Sequence, residues 1–164
     1  MKDNIPTSAK VVVIGGGIAG CSVAYHLTEF GWNDIVLLER DQLTSGTTWH
    51  AAGLLGQVGA SATVTKLRNY SLNLYKKLQE ETGIETGLKQ NGSLTVATDT
   101  DRLEELKRQA TFAQRFNIQV DEVNIDKITE LYPLINTKDI VGGIYIPKDG
   151  QADPIGITNV LAKA

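Results

Sequence analysis

The amino-acid sequence predicts an α/β fold, and three neighbouring features near its start are the reason. Residues 11–14 are four β-branched residues in a row, which is typical of a strand covered on both faces. Glycines then follow in the spacing G-x-G-x-x-G and lead into an apolar helix. A second apolar run over 34–39 predicts a parallel partner strand, so residues 10–39 form a right-handed βαβ unit. Such a unit is Rossmann-like.

The glycine turn of this unit is typical of a dinucleotide site, because each glycine has its own task. Gly15 allows the tight turn, Gly17 lets a pyrophosphate approach the backbone, and Gly20 lets the helix pack close to the strand. The helix N-terminus adds free N–H groups and a partial positive charge. Glu39 follows about 20 residues after the last glycine, where a carboxylate can hydrogen-bond a ribose hydroxyl. The alternative is a glycine-rich turn that binds nothing.

Composition excludes several other classes of protein. The chain has 164 residues, a formal net charge of -3 and no basic run, which disfavours binding to nucleic acid or to an anionic membrane. No apolar stretch approaches the roughly 20 residues that span a bilayer. The N-terminus has neither an apolar signal core nor the Arg-rich character of a transit peptide. A single cysteine, Cys21, rules out an internal disulfide and is expected to be a small core residue. These features predict a cytoplasmic protein, or a mitochondrial matrix protein in a eukaryote.

The rest of the chain predicts further helices and strands. Residues 62–82 form a helix whose apolar stripe holds Val64, Leu67, Leu74 and Leu78, with Ser71 completing it. Strands are expected over 93–98, 119–123 and 140–146, and helices from 99–101, over 126–131 and from Pro154.

The predicted domain boundaries follow from this order of elements. Residues 1–62 are the N-terminal part of a nucleotide-binding domain. Residues 63–152 join it to a second domain, and residues 153–164 form a helix that returns to the first. Only two parallel strands are predicted, and the last helix is still apolar-periodic at Ala164. We therefore expect the sequence to be the N-terminal part of a longer protein.

Residues 40–59 differ in composition from the βαβ unit, since they are small, polar and glycine-rich. They predict a loop or short helix rather than a strand. Ligands of a doubly wound sheet lie outside the carboxyl ends of its strands, so this segment is expected to pass along the ligand. Arg40, beside Glu39, either reaches the ribose or pyrophosphate or is a solvated charge.

Several motifs together resemble a known family. They are 12–20 with the glycine turn, Ser45–Gly53 with Trp-His-Ala-Ala-Gly, Leu78–Gly83, and Asp149-Gly150 followed by Asp153-Pro154. The chain resembles the FAD-dependent amine oxidoreductases of the D-amino-acid oxidase superfamily, and among them the dimethylglycine and sarcosine dehydrogenases. This resemblance implies a Rossmann-like FAD-binding domain plus the start of an α+β substrate domain, the whole being truncated.

The resemblance also implies cofactor contacts, and His50 would carry the flavin covalently through its 8α-methyl carbon. The alternative is a histidine that only hydrogen-bonds within a loop. The implied FAD-binding residues are Gly15, Gly17, Ile18, Ala19, Gly20, Glu39, Arg40, Gly46, Thr47, Thr48, Trp49, His50, Ala51, Ala52, Gly53 and Leu54. Catalytic residues cannot be named from this stretch, no metal site is expected, and tetrahydrofolate would bind only through a further C-terminal domain.

The implied reaction is oxidation of the C–N bond of a small N-methylated amino acid of the sarcosine or dimethylglycine type. Partners would be this substrate and an electron acceptor of unknown identity. Two alternatives stay open: a non-catalytic, flavoprotein-like regulatory module, and a simple NAD-binding domain. The glycine turn and Glu39 alone permit the NAD-binding domain, whereas the run from Ser45 to Gly53 disfavours it.

Overall fold

The structure is a computed structural model that describes residues 6–164. Its residues group into two compact units. The first unit comprises Met1–Gly53, Leu74–Leu88 and Ala152–Ala164, and the second comprises Leu54–Asn73 and Lys89–Gln151. The division falls within one long helix. The predicted domain boundaries at residues 62 and 152 stay a prediction.

The first unit contains the predicted βαβ motif. Strand β1 (Val11–Ile14) pairs in parallel with β2 (Ile35–Leu38), and helix α1 (Ile18–Glu29) connects them. The pairing joins Val11 to Ile35 at one end and Ile14 to Leu38 at the other. The helix ends before Gly31, whose φ of +83° suits glycine.

Coverage of β1 on both faces, as its apolar run predicted, is wrong for the described residues. The side chain of Val12 is 50% exposed and that of Ile14 is 86% exposed. Alternate residues of a strand point to opposite faces, so these two lie on one face. In the first unit α1 packs against α5 (Pro154–Lys163), and the buried side of the unit lies there.

Helix α1 buries Cys21, which is 1% exposed, together with Tyr25. Burial is the main cause that raises the pKa of the Cys21 thiol, with a smaller contribution from the charge of Glu39. The thiol is therefore a packing group in its neutral form, as the sequence predicted. Asp153 is the N-cap residue of helix α5, and its carboxylate accepts the N–H groups of Ile155 and Gly156.

Helix α2 (Ala62–Thr82) has the predicted bounds and ends before Gly83, whose φ is +67°. The predicted stripe is correct only in the second half, where Leu74 and Leu78 are buried. In the first half Leu67 is 61% exposed, and Thr65 is fully buried instead. Thr65 can be buried because its Oγ1 accepts the N–H of Gly59, at 3.0 Å. A pattern of apolar residues cannot reveal such a hydrogen bond.

The second unit is built on an antiparallel sheet in the order β4-β6-β5 (Ser93–Ala97, Gly142–Ile146 and Asp121–Val123). Helix α3 (Thr100–Gln114) packs Leu106 and Ala110 on Ala97 and Ile144. Helix α4 (Ile125–Leu131) follows β5. These elements lie where the sequence predicted them.

A short strand, β3 (Leu54–Leu55), pairs antiparallel with β7 (Gly150–Gln151). The sequence analysis predicted a loop or short helix over 40–59, so its expectation for 54–55 is wrong, and it did not predict strand β7. Two residues are too few to show an alternation, and the partner is almost a hundred positions away. Over residues 6–164 no helix is long and apolar enough to cross a membrane.

Candidate functional site

The glycine turn has the geometry that its spacing predicted. Gly15 follows β1 with a φ of +109°, a conformation that side chains disfavour. A Cβ at Gly20 would overlap the carbonyl oxygen of Gly15, so only glycine lets α1 approach the turn this closely. The N–H of Gly15 donates to the carbonyl of Leu38, 2.8 Å, which fixes the turn to the end of β2.

Gly16 is a site residue that the sequence analysis missed. A Cβ there would lie 2.5 Å from Leu43 Cδ2 and 3.1 Å from Glu39 Cβ. Its N–H donates to Glu39 Oε2, 2.7 Å, and its carbonyl accepts the N–H of Thr44, 3.0 Å. The sequence did offer a signal: of positions 15, 16 and 17 the motif requires glycine at the first and last only, yet position 16 between them is also glycine.

Glu39 binds the turn itself. Besides Gly16, the N–H groups of Arg40 and Asp41 donate to its carboxylate, at 2.7 and 3.2 Å. These backbone hydrogen bonds, that of Gly16 first, lower the pKa of the Glu39 carboxyl. The group is therefore an anion at neutral pH. A carboxylate has about four acceptor positions, so one remains for a ribose hydroxyl.

Four of the predicted site residues line a cavity at the carboxyl ends of β1 and β2. A different cavity of the first unit, of about 370 Å³, lies against α1 and does not contain them. The cavity at the strand ends measures about 330 Å³. Its lining includes Gly15, Glu39, Arg40 and Gly46, all of which the sequence indicated. Its volume suits part of a dinucleotide, and its place is where doubly wound sheets bind ligands.

The N-terminus of α1 lies beside this turn. The N–H of Ile18 donates to Thr48 Oγ1, 3.1 Å, and that of Cys21 donates to Gly17 O, 3.0 Å. The hydrogen bonds of residues 6–164 leave the N–H groups of Ala19 and Gly20 without an acceptor. Two donors at the positive end of a helix dipole suit a phosphate anion.

Residues 44–53 are a loop that contains a 3-10 helix, Thr48–His50, as predicted. The rings of Trp49 and His50 lie 3.8 Å apart between centroids, tilted by 50°. Both side chains are exposed, whereas Thr48 is only 7% exposed. The structure thus presents the histidine on the surface of the first unit and anchors it through a buried neighbour.

The remaining predicted residues divide into three groups. Thr47, Ala51 and Ala52 are exposed beside the 3-10 helix. Gly53 has a φ of +70°, and a Cβ there would overlap the carbonyl oxygen of Ala152. Leu54 belongs to the second unit.

These groups fit a dinucleotide. An ionised carboxylate, free helix N–H groups and a glycine turn with no room for side chains are what a ribose and a pyrophosphate require. A family profile described as FAD dependent oxidoreductase (DAO) matches residues 10–164. The chain belongs to this family. The fold class that the sequence predicted is thereby confirmed, and the simple NAD-binding alternative loses its support.

Relatives and a solved structure agree with this membership. The mitochondrial sarcosine dehydrogenase of Homo sapiens is 43% identical over 161 residues, which are 98% of this chain and 18% of that protein. The mitochondrial pyruvate dehydrogenase phosphatase regulatory subunit of Mus musculus is 42% identical over 160 residues, with the same coverage. The crystal structure of L-proline dehydrogenase from P. horikoshii superposes with a TM-score of 0.88 at 27% identity, covering 97% of this chain and 42% of that one.

The relatives include the sarcosine and dimethylglycine dehydrogenases that the motifs indicated, so the predicted resemblance is confirmed. The chain spans about a fifth of the length of these relatives.

Proposed function

We propose that this chain is the cofactor-binding part of an FAD-dependent oxidoreductase that oxidises the C–N bond of a small N-methylated amino acid. The observation that carries the proposal is the joining of two motifs within one unit. The glycine turn with ionised Glu39 is held, through Thr48, to the short helix that bears His50. Relatives named for sarcosine and 4-methylaminobutanoate support the substrate class.

Each group of the site has a separate task in this proposal. Bound FAD would supply the two-electron chemistry, and the protein orients it and tunes its electronics. The N–H groups of Ala19 and Gly20 would bind the pyrophosphate, and the free acceptor position of Glu39 would bind the ribose. Arg40 lines the same cavity and would balance phosphate charge there.

We further propose that His50 would hold the flavin covalently, through a bond from a ring nitrogen to the 8α carbon that replaces a C–H bond there. The displaced protons would pass to solvent and the two electrons to the electron acceptor of the flavin. The neutral imidazole nitrogen is a competent nucleophile. Exposure of the ring leaves it accessible, and the Trp49 ring beside it restricts its orientation. The Trp-His-Ala-Ala-Gly sequence supports the attachment because it resembles the covalent branch of the family.

The test of attachment is the intact mass of the full-length gene product after denaturation. We expect a mass increment of one FAD that His50→Ala abolishes. The matched control is His26→Gln, since His26 is the only other histidine in the sequence and lies within α1. Yellow colour that acid releases completely from the unaltered protein would disprove the covalent attachment while leaving FAD binding intact.

The test of the reaction is anaerobic addition of sarcosine or dimethylglycine to the flavin-loaded protein. We expect rapid bleaching of the flavin absorbance. A second candidate function is a non-catalytic regulatory module, which the 42% identity to a phosphatase regulatory subunit favours. Absence of bleaching by these and related secondary and tertiary amines would favour the regulatory module over the enzyme.

Three further proposals concern the compartment of the protein, its electron acceptor and tetrahydrofolate. We propose the cytoplasm, or the mitochondrial matrix in a eukaryote, as its compartment, which cell fractionation tests. Assays of candidate acceptors with the reduced protein test the identity of the electron acceptor. Any tetrahydrofolate site would lie in a region corresponding to the part of the relatives that this chain does not cover.

A further inference from the structure

Thr48 occupies an unusual place in the first unit. Its neighbours Thr47, Trp49 and His50 are exposed, but Thr48 itself is 7% exposed. Its hydroxyl oxygen accepts the N–H of Ile18, 3.1 Å away and 30 residues earlier in the chain. Ile18 is the first residue of α1, and Gly17, at the N-cap, has no side chain with which to cap the helix.

The same hydroxyl lies against Gly17. A Cβ on Gly17 would be 3.0 Å from Thr48 Oγ1, which is tighter than ordinary van der Waals contact. The middle glycine therefore has a role besides admitting a pyrophosphate, because it also leaves room for this hydroxyl. The two features belong together: the turn lacks a cap of its own, and a distant threonine provides one.

We propose that Thr48 is a positioning residue that caps α1 from outside the helix and thereby holds the Thr48–His50 helix against the glycine turn. This inference rests on the proposed FAD site. Because the Thr48 hydroxyl accepts the N–H of Ile18, that N–H is not open to a ligand, whereas those of Ala19 and Gly20 are. In this proposal Thr48 acts on the FAD site through the turn and through His50, in place of the direct FAD contact that the resemblance implied.

The experiment compares Thr48→Val with Thr48→Ser in the full-length protein. Valine keeps the shape and removes the acceptor, whereas serine restores the acceptor. Reversible FAD affinity is measured in the His50→Ala background, and the rate of covalent incorporation is measured with His50 present. The Ile18 N–H is part-buried, and loss of its hydrogen bond corresponds to about a ten-fold effect. We expect Thr48→Val to weaken FAD binding and slow incorporation by about that factor, and Thr48→Ser to restore both.

The matched control is Thr65→Val. Thr65 is also a buried threonine whose Oγ1 accepts a backbone N–H, that of Gly59 six residues earlier, at 3.0 Å, but it lies in the second unit. We expect it to lower thermal stability while leaving FAD affinity within about two-fold. Equal losses of FAD affinity in Thr48→Val and Thr65→Val would overturn the proposal, and so would unchanged binding and incorporation in Thr48→Val.

A third measurement separates this inference from the proposed function. Hydrogen exchange of the Ile18 amide, read without cofactor, reports the cap directly. We expect about ten-fold faster exchange in Thr48→Val than in the unaltered protein or in Thr65→Val. Failure of the unaltered protein to bind FAD would disprove the proposed function, whereas unchanged exchange at Ile18 would disprove the cap.

Discussion

The glycines of the turn differ in what surrounds them, and this difference is testable residue by residue. A Cβ at Gly20 meets backbone, which cannot move aside as a side chain can. A Cβ at Gly46 meets no atom within 4 Å, although Gly46 lines the same cavity as Gly15.

We therefore predict that Gly20→Ala lowers the free energy of unfolding by about 2–3 kcal/mol, because α1 must move away from the turn. Gly46→Ala should change it by less than about 0.5 kcal/mol. Urea unfolding followed by circular dichroism measures both. Equal effects of the two substitutions would contradict the close approach of α1 to Gly15.

A second prediction concerns the charge of Glu39. Its folded-state pKa is lowered, so its stabilising contribution is present in full above the ordinary value of 4.5 and is lost as the pH falls through the lowered value. Glu39→Gln should thus lower the thermal midpoint at pH 6–7, and the difference from the unaltered protein should vanish well below pH 4.5. A thermal melt series over pH 3–7 tests this, and a difference independent of pH would contradict it.

At the scale of elements, helix α2 shows how one helix can bury different faces along its length. Leu78 is fully buried in the second half, whereas Leu67 of the predicted stripe is 61% exposed. The first half instead buries Thr65, whose hydroxyl is satisfied by Gly59. A buried polar group with its hydrogen bond made is compatible with a folded core.

We predict that Leu78→Ala lowers the free energy of unfolding by about 2–5 kcal/mol, since it leaves a cavity. Leu67→Ala should cost less than about 0.5 kcal/mol, because alanine also favours the helix. The two variants differ only in position on the same helix, so chemical denaturation compares them directly. A larger loss of unfolding free energy for Leu67→Ala than for Leu78→Ala would show that Leu67 is buried, as the apolar periodicity predicted.

At the scale of the whole molecule, the two-stranded parallel sheet leaves apolar side chains in solvent. Val12, Ile14 and Leu38 are 50%, 86% and 38% exposed. Parallel sheets are almost always covered on both faces, so this surface is typical of one that other polypeptide covers. The chain of 164 residues, expressed alone, is therefore expected to be poorly soluble.

The corresponding prediction is that the 164-residue chain self-associates and that Ile14→Thr reduces the association. Threonine keeps the β-branched shape and replaces an exposed methyl with a hydroxyl. Size-exclusion chromatography with light scattering measures the mass of both forms. A monomer with one sharp thermal transition, for the unaltered chain, would contradict the prediction.

The sequence by itself determined the features that depend on neighbouring residues. The βαβ unit, the bounds of α2, the caps at Asp99 and Asp153, and the tight turn at Gly15 all follow from local spacing and backbone preference. The motif at Ser45–Gly53 likewise indicated the family, which the profile match over 10–164 confirms.

Only the tertiary structure decided the features that join distant residues. The Thr48 hydroxyl on Ile18, the Gly16 N–H on Glu39 and the β3–β7 pair each depend on a partner elsewhere in the chain. Such pairings leave no periodic pattern in the sequence, because each depends on individual hydrogen bonds between residues far apart in the chain. The loop that bears His50 is therefore fixed to its glycine turn by a contact that no local pattern encodes.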